Sequence, residues 1–271
     1  MALAEYVGGS IEGFAKLMNK KAEEIGLKNT HFVTPHGLDD IEHYTTAYEL
    51  ALLTDYALKN ETFSKIVNTK STTISINNVP RSIYNTNELL GTLSGVDGVK
   101  TGFTNNAGRC LVTSCTRDNN QIITVVLGCD TKKQRTSDSM KLIEYAFKNY
   151  TRINLEEKIK IEFEKWKQIN SERIYINKGE KTKIELNLEE VHKKQLPVKI
   201  GEENNIEFEI NAIYEYDAPI RKDTKVGNIV VKYNNKVVES VDIICSRDIE
   251  KKSIFSYIKE LLSVIPNYEL P

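Results

Sequence analysis

The run Val96-Asp97-Gly98-Val99-Lys100-Thr101-Gly102-Phe103-Thr104 constrains this chain more than any other stretch. Val96 and Val99 suit a pleated, half-buried strand. Gly98 and Gly102 lack a Cβ, so another backbone or a ligand can come close at either point. Between them stand a cation, Lys100, and a hydroxyl, Thr101, whose side chains point to opposite faces of a strand. A strand offering a cation, a hydroxyl and a bare backbone edge is equipped to hold an extended peptide and its carboxylate. Taken alone, Lys-Thr-Gly fits a strand running into a turn equally well, so the surrounding residues must decide.

Composition narrows the partners. The 271 residues predict one or two domains, each able to bury a core. Net charge is −1, with Lys and Glu interspersed, so no nucleic acid partner is expected. The sequence has no signal-peptide pattern at its start and no apolar run long enough to span a bilayer. Cys110, Cys115, Cys129 and Cys245 show no C-x-x-C spacing and read as small buried hydrophobes. Cys110 and Cys129 fall on neighbouring candidate strands, which leaves one bridge open. His31, His36 and His43 share a loop, but their spacing fits no helical ligand pair and no cysteine is near. No metal site is expected, and nothing in the chain calls for a cofactor.

Along the chain, residues 1–25 read as helical. Ser10 caps a second helix with an apolar stripe of Ile11, Phe14, Leu17, Met18 and Ile25, and Gly26 stops it. After the histidine loop, Thr46-x-x-Glu49 is a capping box opening a helix that buries Leu50, Leu53 and Ala57 or Leu58. A short helix near residues 61–67 follows. The period then changes to two: residues 70–76, an Asn77-Asn78 turn and residues 79–84 predict a hairpin. Residues 107–129 predict a second hairpin, turning at Asp118-Asn119-Asn120. Residues 134–150 predict a helix with Met140, Ile143, Ala146 or Phe147, and Tyr150 on one face.

From about residue 151 short alternating runs appear at residues 157–164, 173–177, 182–186, 206–213, 228–233 and 236–244. Turn signals such as Asn177-Lys178-Gly179 and Asn234-Asn235 separate them, predicting a small all-β domain over residues 151–248. Residues 249–271 form a tail whose 253–265 segment is amphipathic, with Ile254, Ile258, Leu261 and Ile265 on one side. Lys251, Lys252 and Lys259 suit an anionic lipid surface; docking onto the β domain is the other reading.

The run VDGVKTGFTNNAGRCL, from Val96 to Leu111, resembles the third active-site motif of serine D-alanyl-D-alanine carboxypeptidases. These are the low-molecular-mass penicillin-binding proteins that trim peptidoglycan stem peptides. The likeness extends upstream through Asn29-Thr30-His31-Phe32-Val33-Thr34-Pro35-His36-Gly37-Leu38-Asp39 and His43-Tyr44-Thr45-Thr46-Ala47, and downstream to about residue 248. It implies a mixed α and β fold: residues 1–150 as an incomplete serine β-lactamase/DD-peptidase-like transpeptidase fold of helices and antiparallel sheet, then an all-β sandwich. The implied partner is a stem peptide ending in D-Ala-D-Ala, met outside the cytoplasmic membrane. Lys100 would supply positive potential, and the Thr101 hydroxyl would bind the terminal carboxylate. Gly102 would let the backbone approach, and the Phe103 N–H would be an oxyanion donor. Arg135 matches a family arginine near that carboxylate, where a guanidinium fork suits; a solvated residue at a helix start is its other reading. Asn85 and Glu88 match a polar loop and read as structural.

The family's reaction is acyl transfer by a Ser-x-x-Lys nucleophile and base with a Ser-x-Asn relay. Neither motif stands where the resemblance requires it. Ser256-Tyr257-Ile258-Lys259 follows Lys-Thr-Gly instead of preceding it, and Ser75-Ile76-Asn77 enters a hairpin turn. The expectation is the C-terminal portion of such a carboxypeptidase, catalytically incomplete and binding β-lactams non-covalently at best. The rival reading is a non-catalytic protein that holds peptidoglycan peptides.

Overall fold

The computed structural model describes residues 1–264. It divides into two compact units, Met1–Asn149 and a second from Tyr150 onward.

The first unit opens with α1 (Ala2–Gly8) and α2 (Ile11–Ile25). Ser10 caps α2 by accepting from the Gly13 N–H, as its sequence predicts. Of the expected stripe Ile11, Phe14, Met18 and Ile25 are half-buried beside the buried Ala15 and Ala22, whereas Leu17 is 46% exposed.

α3 (Ala47–Leu58) starts at the Thr46 cap, whose hydroxyl accepts from the Glu49 N–H, but the Glu49 side chain turns to the preceding loop instead of closing the expected capping box. Its carboxylate accepts from the Lys28 and Asn29 N–H groups, the Asn29 side chain and the Thr30 hydroxyl. Burial acts to raise its pKa, but these hydrogen bonds outweigh it and hold the carboxyl below the usual glutamate range. A lowered folded pKa contributes stability that is present above the unfolded value, about 4.3, and is lost as pH falls through the folded one. Glu49→Gln should therefore lower the urea midpoint at pH 7 and flatten the loss of stability below about pH 4.3. Parallel acid profiles for variant and wild type would refute that.

After α4 (Glu61–Val67), β1 (Ser71–Ile76) and β2 (Val79–Tyr84) form an exposed hairpin. Its Asn77 and Asn78 have φ of 53° and 62°, the left-handed pair that such a turn needs. β3 (Val96–Thr104), β4 (Gly108–Arg117) and β5 (Asn120–Cys129) make an antiparallel sheet in that order, so β3 is an edge. α5 (Lys132–Asn149) covers one face, and Leu89, Leu90, Val96, Leu111, Cys115 and Ile143 make the core there.

The buried stripe of α5 is Arg135, Ser139 and Ile143, with Phe147 partly buried, whereas Met140 is 40% exposed. The expected Met140 face is thus rotated, and a guanidinium is carried inward. α3 packs on β4 and β5. Its Leu50, Leu53 and Ala57 are half-buried and line an apolar cavity of about 440 Å³ with Leu111, Val112 and Leu127.

In the second unit the strands are β6 (Tyr150–Asn154), β7 (Tyr175–Asn177), β8 (Leu186–Leu188), β9 (Gln195–Lys199), β10 (Ile206–Ala212), β11 (Glu215–Asp217), β12 (Lys225–Tyr233) and β13 (Lys236–Cys245). A four-stranded antiparallel sheet runs β10-β12-β13-β8; β6 pairs with β9, and β7 with β11. One expectation is overturned. Residues 157–164 are not a strand but part of α6 (Leu155–Asn170). Asn154 caps it by accepting from the Glu157 N–H, and Leu155, Ile159 and Phe163, four residues apart, are buried on one face. The expected strand at 182–186 is displaced to β8, and β6, β9 and β11 had no clear signal. Val198, Ile229, Val231, Val241 and Ile243 share the core with α6. α7 (Ile254–Val264) leaves Ile254, Phe255, Ile258 and Leu261 exposed. Ile265, expected on the same stripe, lies outside the described residues.

Candidate active site

The edge strand β3 and the first turn of α5 meet at a cavity of about 760 Å³. Lys100, Thr101, Gly102, Phe103 and Arg135 all line it, so the structure brings every candidate site residue to one wall. The two glycines of the strand separate in role. A Cβ on Gly98 would meet the Val67 side chain at 3.0 Å, so Gly98 answers to packing. A Cβ on Gly102 would meet only Cys110 at 3.7 Å, an ordinary contact, and Gly102 lines both this cavity and the apolar one against α3.

Arg135 is only 3% exposed, and its Nε and Nη2 have no hydrogen-bond partner among the described residues. Glu88 approaches its Nη2 at 3.6 Å while accepting from the Thr136 hydroxyl at 2.8 Å. Glu88 therefore braces the arginine, beyond the loop role its sequence context gave it. Asn85 is structural as read, donating to the Val67 and Thr69 carbonyls. Asn87, also buried, donates to the Gly98 carbonyl at 2.9 Å and ties this loop to β3.

Residues that the sequence did not single out also reach the cavity. The Thr86 hydroxyl lies 2.6 Å from that of Thr101 and orients it. Arg109 stacks on the Phe103 ring with 4.3 Å from Cζ to the centroid, and Lys132 stands at the start of α5. The wall thus carries Lys100, Arg109, Lys132 and Arg135, and no carboxylate is among its described residues. A concave wall with one sign of charge focuses an attractive potential on anions. Counting back from the 104–108 turn pairs Arg109 with Phe103, the one signal that would have found it.

The three loop histidines serve their own backbone. His31 Nδ1 pairs with the Glu42 carbonyl, His36 Nδ1 accepts from the Leu38 N–H, and His43 Nδ1 accepts from the Val33 N–H at 3.1 Å. Burial pushes the His43 pKa down, against the pull of Asp40, which keeps it a neutral acceptor. All four cysteines, Cys110 and Cys129 among them, are free thiols in the structure. Among the described lining residues the hydroxyls are those of Thr34, Thr86, Thr101 and Thr104, with no serine. Ser75 is on the exposed hairpin and Ser256 on α7 of the other unit.

The sequence matches two family profiles. One, described as D-alanyl-D-alanine carboxypeptidase, covers residues 1–131; the other, the penicillin-binding protein 5 C-terminal domain, covers residues 154–251. The D-alanyl-D-alanine carboxypeptidase DacF of Bacillus subtilis is 33% identical over 97% of this chain, and DacA of Haemophilus influenzae is 33% identical over 97% as well. The chain spans 65% and 64% of the length of these two relatives. The crystal structure of penicillin binding protein 5 from Haemophilus influenzae superposes with a TM-score of 0.69 at 27% identity, covering 92% of this chain and 70% of that one.

Proposed function

Because this chain belongs to the serine D-alanyl-D-alanine carboxypeptidase family of low-molecular-mass penicillin-binding proteins, we propose that its first unit grips the D-Ala-D-Ala end of a peptidoglycan stem peptide. The observation that carries this reading is Arg135: a buried guanidinium whose Nε and Nη2 make no hydrogen bond to a described residue, with Glu88 3.6 Å from Nη2, in a cavity shared with Thr101. A buried unpaired donor is costly, and a ligand carboxylate repays that cost with charge-assisted hydrogen bonds. The peptide lies extended along the free edge of β3 with its carboxylate between the Thr101 hydroxyl and Arg135. Lys100 holds the site positive, and Gly102 leaves room for the peptide backbone. The Phe103 N–H meets the carbonyl of the scissile amide as an oxyanion donor.

In a complete reaction a serine attacks that carbonyl, the terminal D-alanine leaves, and water hydrolyses the acyl-enzyme. The described cavity wall offers binding and oxyanion groups without a serine, so we assign these 271 residues the grip and not the acylation. Work outside the cytoplasmic membrane follows from the substrate. No described helix is long and apolar enough to cross a bilayer. The exposed Ile254, Phe255, Ile258 and Leu261 of α7, flanked by Lys251 and Lys259, suit the interface of an anionic membrane instead.

Incubating the purified chain with a fluorescent penicillin, followed by mass mapping, tests the division of labour. No covalent adduct is expected on a folded sample. An adduct at Ser256 or any other serine would overturn it.

A further inference from the structure

The cavity carries more positive charge than one carboxylate needs. Thr101 and Arg135 account for a peptide's C-terminus and Lys100 for the field at the scissile bond, which leaves Arg109 unexplained. Arg109 is half-buried, flat against Phe103, and among the described residues it has no carboxylate partner. Glu88 is engaged with Arg135 and Thr136, Asp39 and Asp40 line a neighbouring pocket that shares His43 and Ala107, and Asp130 follows Cys129, the residue opposite Arg109 on β5. A guanidinium that stacking pre-organises gives up little freedom when it pairs with an anion.

The register says which part of the peptide comes near it. Thr101 and Phe103 are two residues apart on β3, about 6.8 Å along an extended chain. Phe103 is directly opposite Arg109 on β4. A peptide on the free edge of β3, carboxylate at Thr101 and scissile carbonyl at Phe103, runs on past Phe103 with its third residue from the C-terminus. The side chain of that residue is the part within reach of the guanidinium over the Phe103 ring.

Building on the peptide-end reading, we propose that Arg109, stacked on Phe103, forms a second anion subsite. It selects stem peptides whose third residue from the C-terminus carries a free side-chain carboxylate over those in which that group is amidated. Lys132, at the cavity rim, adds to the potential without fixing a geometry.

Calorimetric titration of the full 271-residue chain with Ac-L-Glu-D-Ala-D-Ala and Ac-L-Gln-D-Ala-D-Ala tests this directly. The Glu peptide is expected to bind about fivefold more tightly at low salt, as for one partly exposed charge pair. Arg109→Gln should erase that ratio while leaving the Gln peptide within about twofold of wild type. Arg109→Lys, which keeps the charge but not the flat fork, should retain part of the preference. Equal binding of the two peptides to wild type would overturn the second subsite and leave the peptide-end reading standing, as would a preference that persists in Arg109→Gln. If neither peptide binds a folded sample, the parent reading falls and this one with it.

Discussion

Replacing Arg135 with methionine is expected to weaken binding of a peptide C-terminal carboxylate by about 10- to 100-fold. A hydrogen bond to a charged group contributes about 1.5–3 kcal/mol, and each 1.4 kcal/mol is tenfold in affinity. The loss should come without unfolding. Methionine is unbranched and flexible enough to fill the inward path along α5, and it leaves no unpaired charge in the core. Glu88 loses a contact but keeps the Thr136 hydroxyl, and its side chain is 49% exposed, so water compensates it. Titration with N-acylated D-Ala-D-Ala, alongside a melting curve, separates the two roles. Unchanged affinity with a lowered melting temperature would make Arg135 structural and remove the main support for the proposed grip.

The other large effect concerns the fold of the second unit. Ile159→Ala is expected to cost about 2–5 kcal/mol, the range for deleting a fully buried aliphatic side chain. Ile159 is 0% exposed and packs in the core with Leu155 and Phe163. Ile161, two residues on, is 47% exposed, and Ile161→Ala should change stability by less than about 0.5 kcal/mol. The pair distinguishes helix from strand. In a strand Ile159 and Ile161 share a face and the two substitutions would cost alike, whereas in α6 they diverge. Urea denaturation of both variants settles it, and similar costs would restore the strand that the alternation suggests.

That segment marks the limit of reading a sequence locally. Residues 155–166 satisfy two periods at once. Ile159, Ile161 and Phe163 alternate as in a strand, while Leu155, Ile159, Phe163 and Trp166 recur as in a helix. The Asn154 cap favours the helix, but the burial partners Val198 and Ile229 lie far along the chain, and no local signal reports them. The same holds for the stripe on α5. By periodicity Met140 and Arg135 compete for the inward face, and docking on β4 and β5 turns Arg135 in.

Where a feature depends on a few neighbouring residues, the chain alone determined it. The Asn77-Asn78, Asp118-Asn119 and Asn234-Asn235 turns adopt left-handed φ because short amide and acid side chains tolerate it. Ser10 and Thr46 cap their helices because their hydroxyls reach free N–H groups three residues on. The Lys100-Thr101-Gly102 strand and the family itself were legible in the same way. Tertiary structure alone decided that Gly98 answers to packing while Gly102 lines two cavities, and that Thr86 orients Thr101. It also set Arg109 over Phe103 and buried Arg135 with its Nε and Nη2 outside hydrogen-bond reach of any described residue. Each of these is a meeting of residues from separate elements, produced by strand register and helix docking. Those follow from many weak contacts distributed over the whole unit, which no short window of sequence contains.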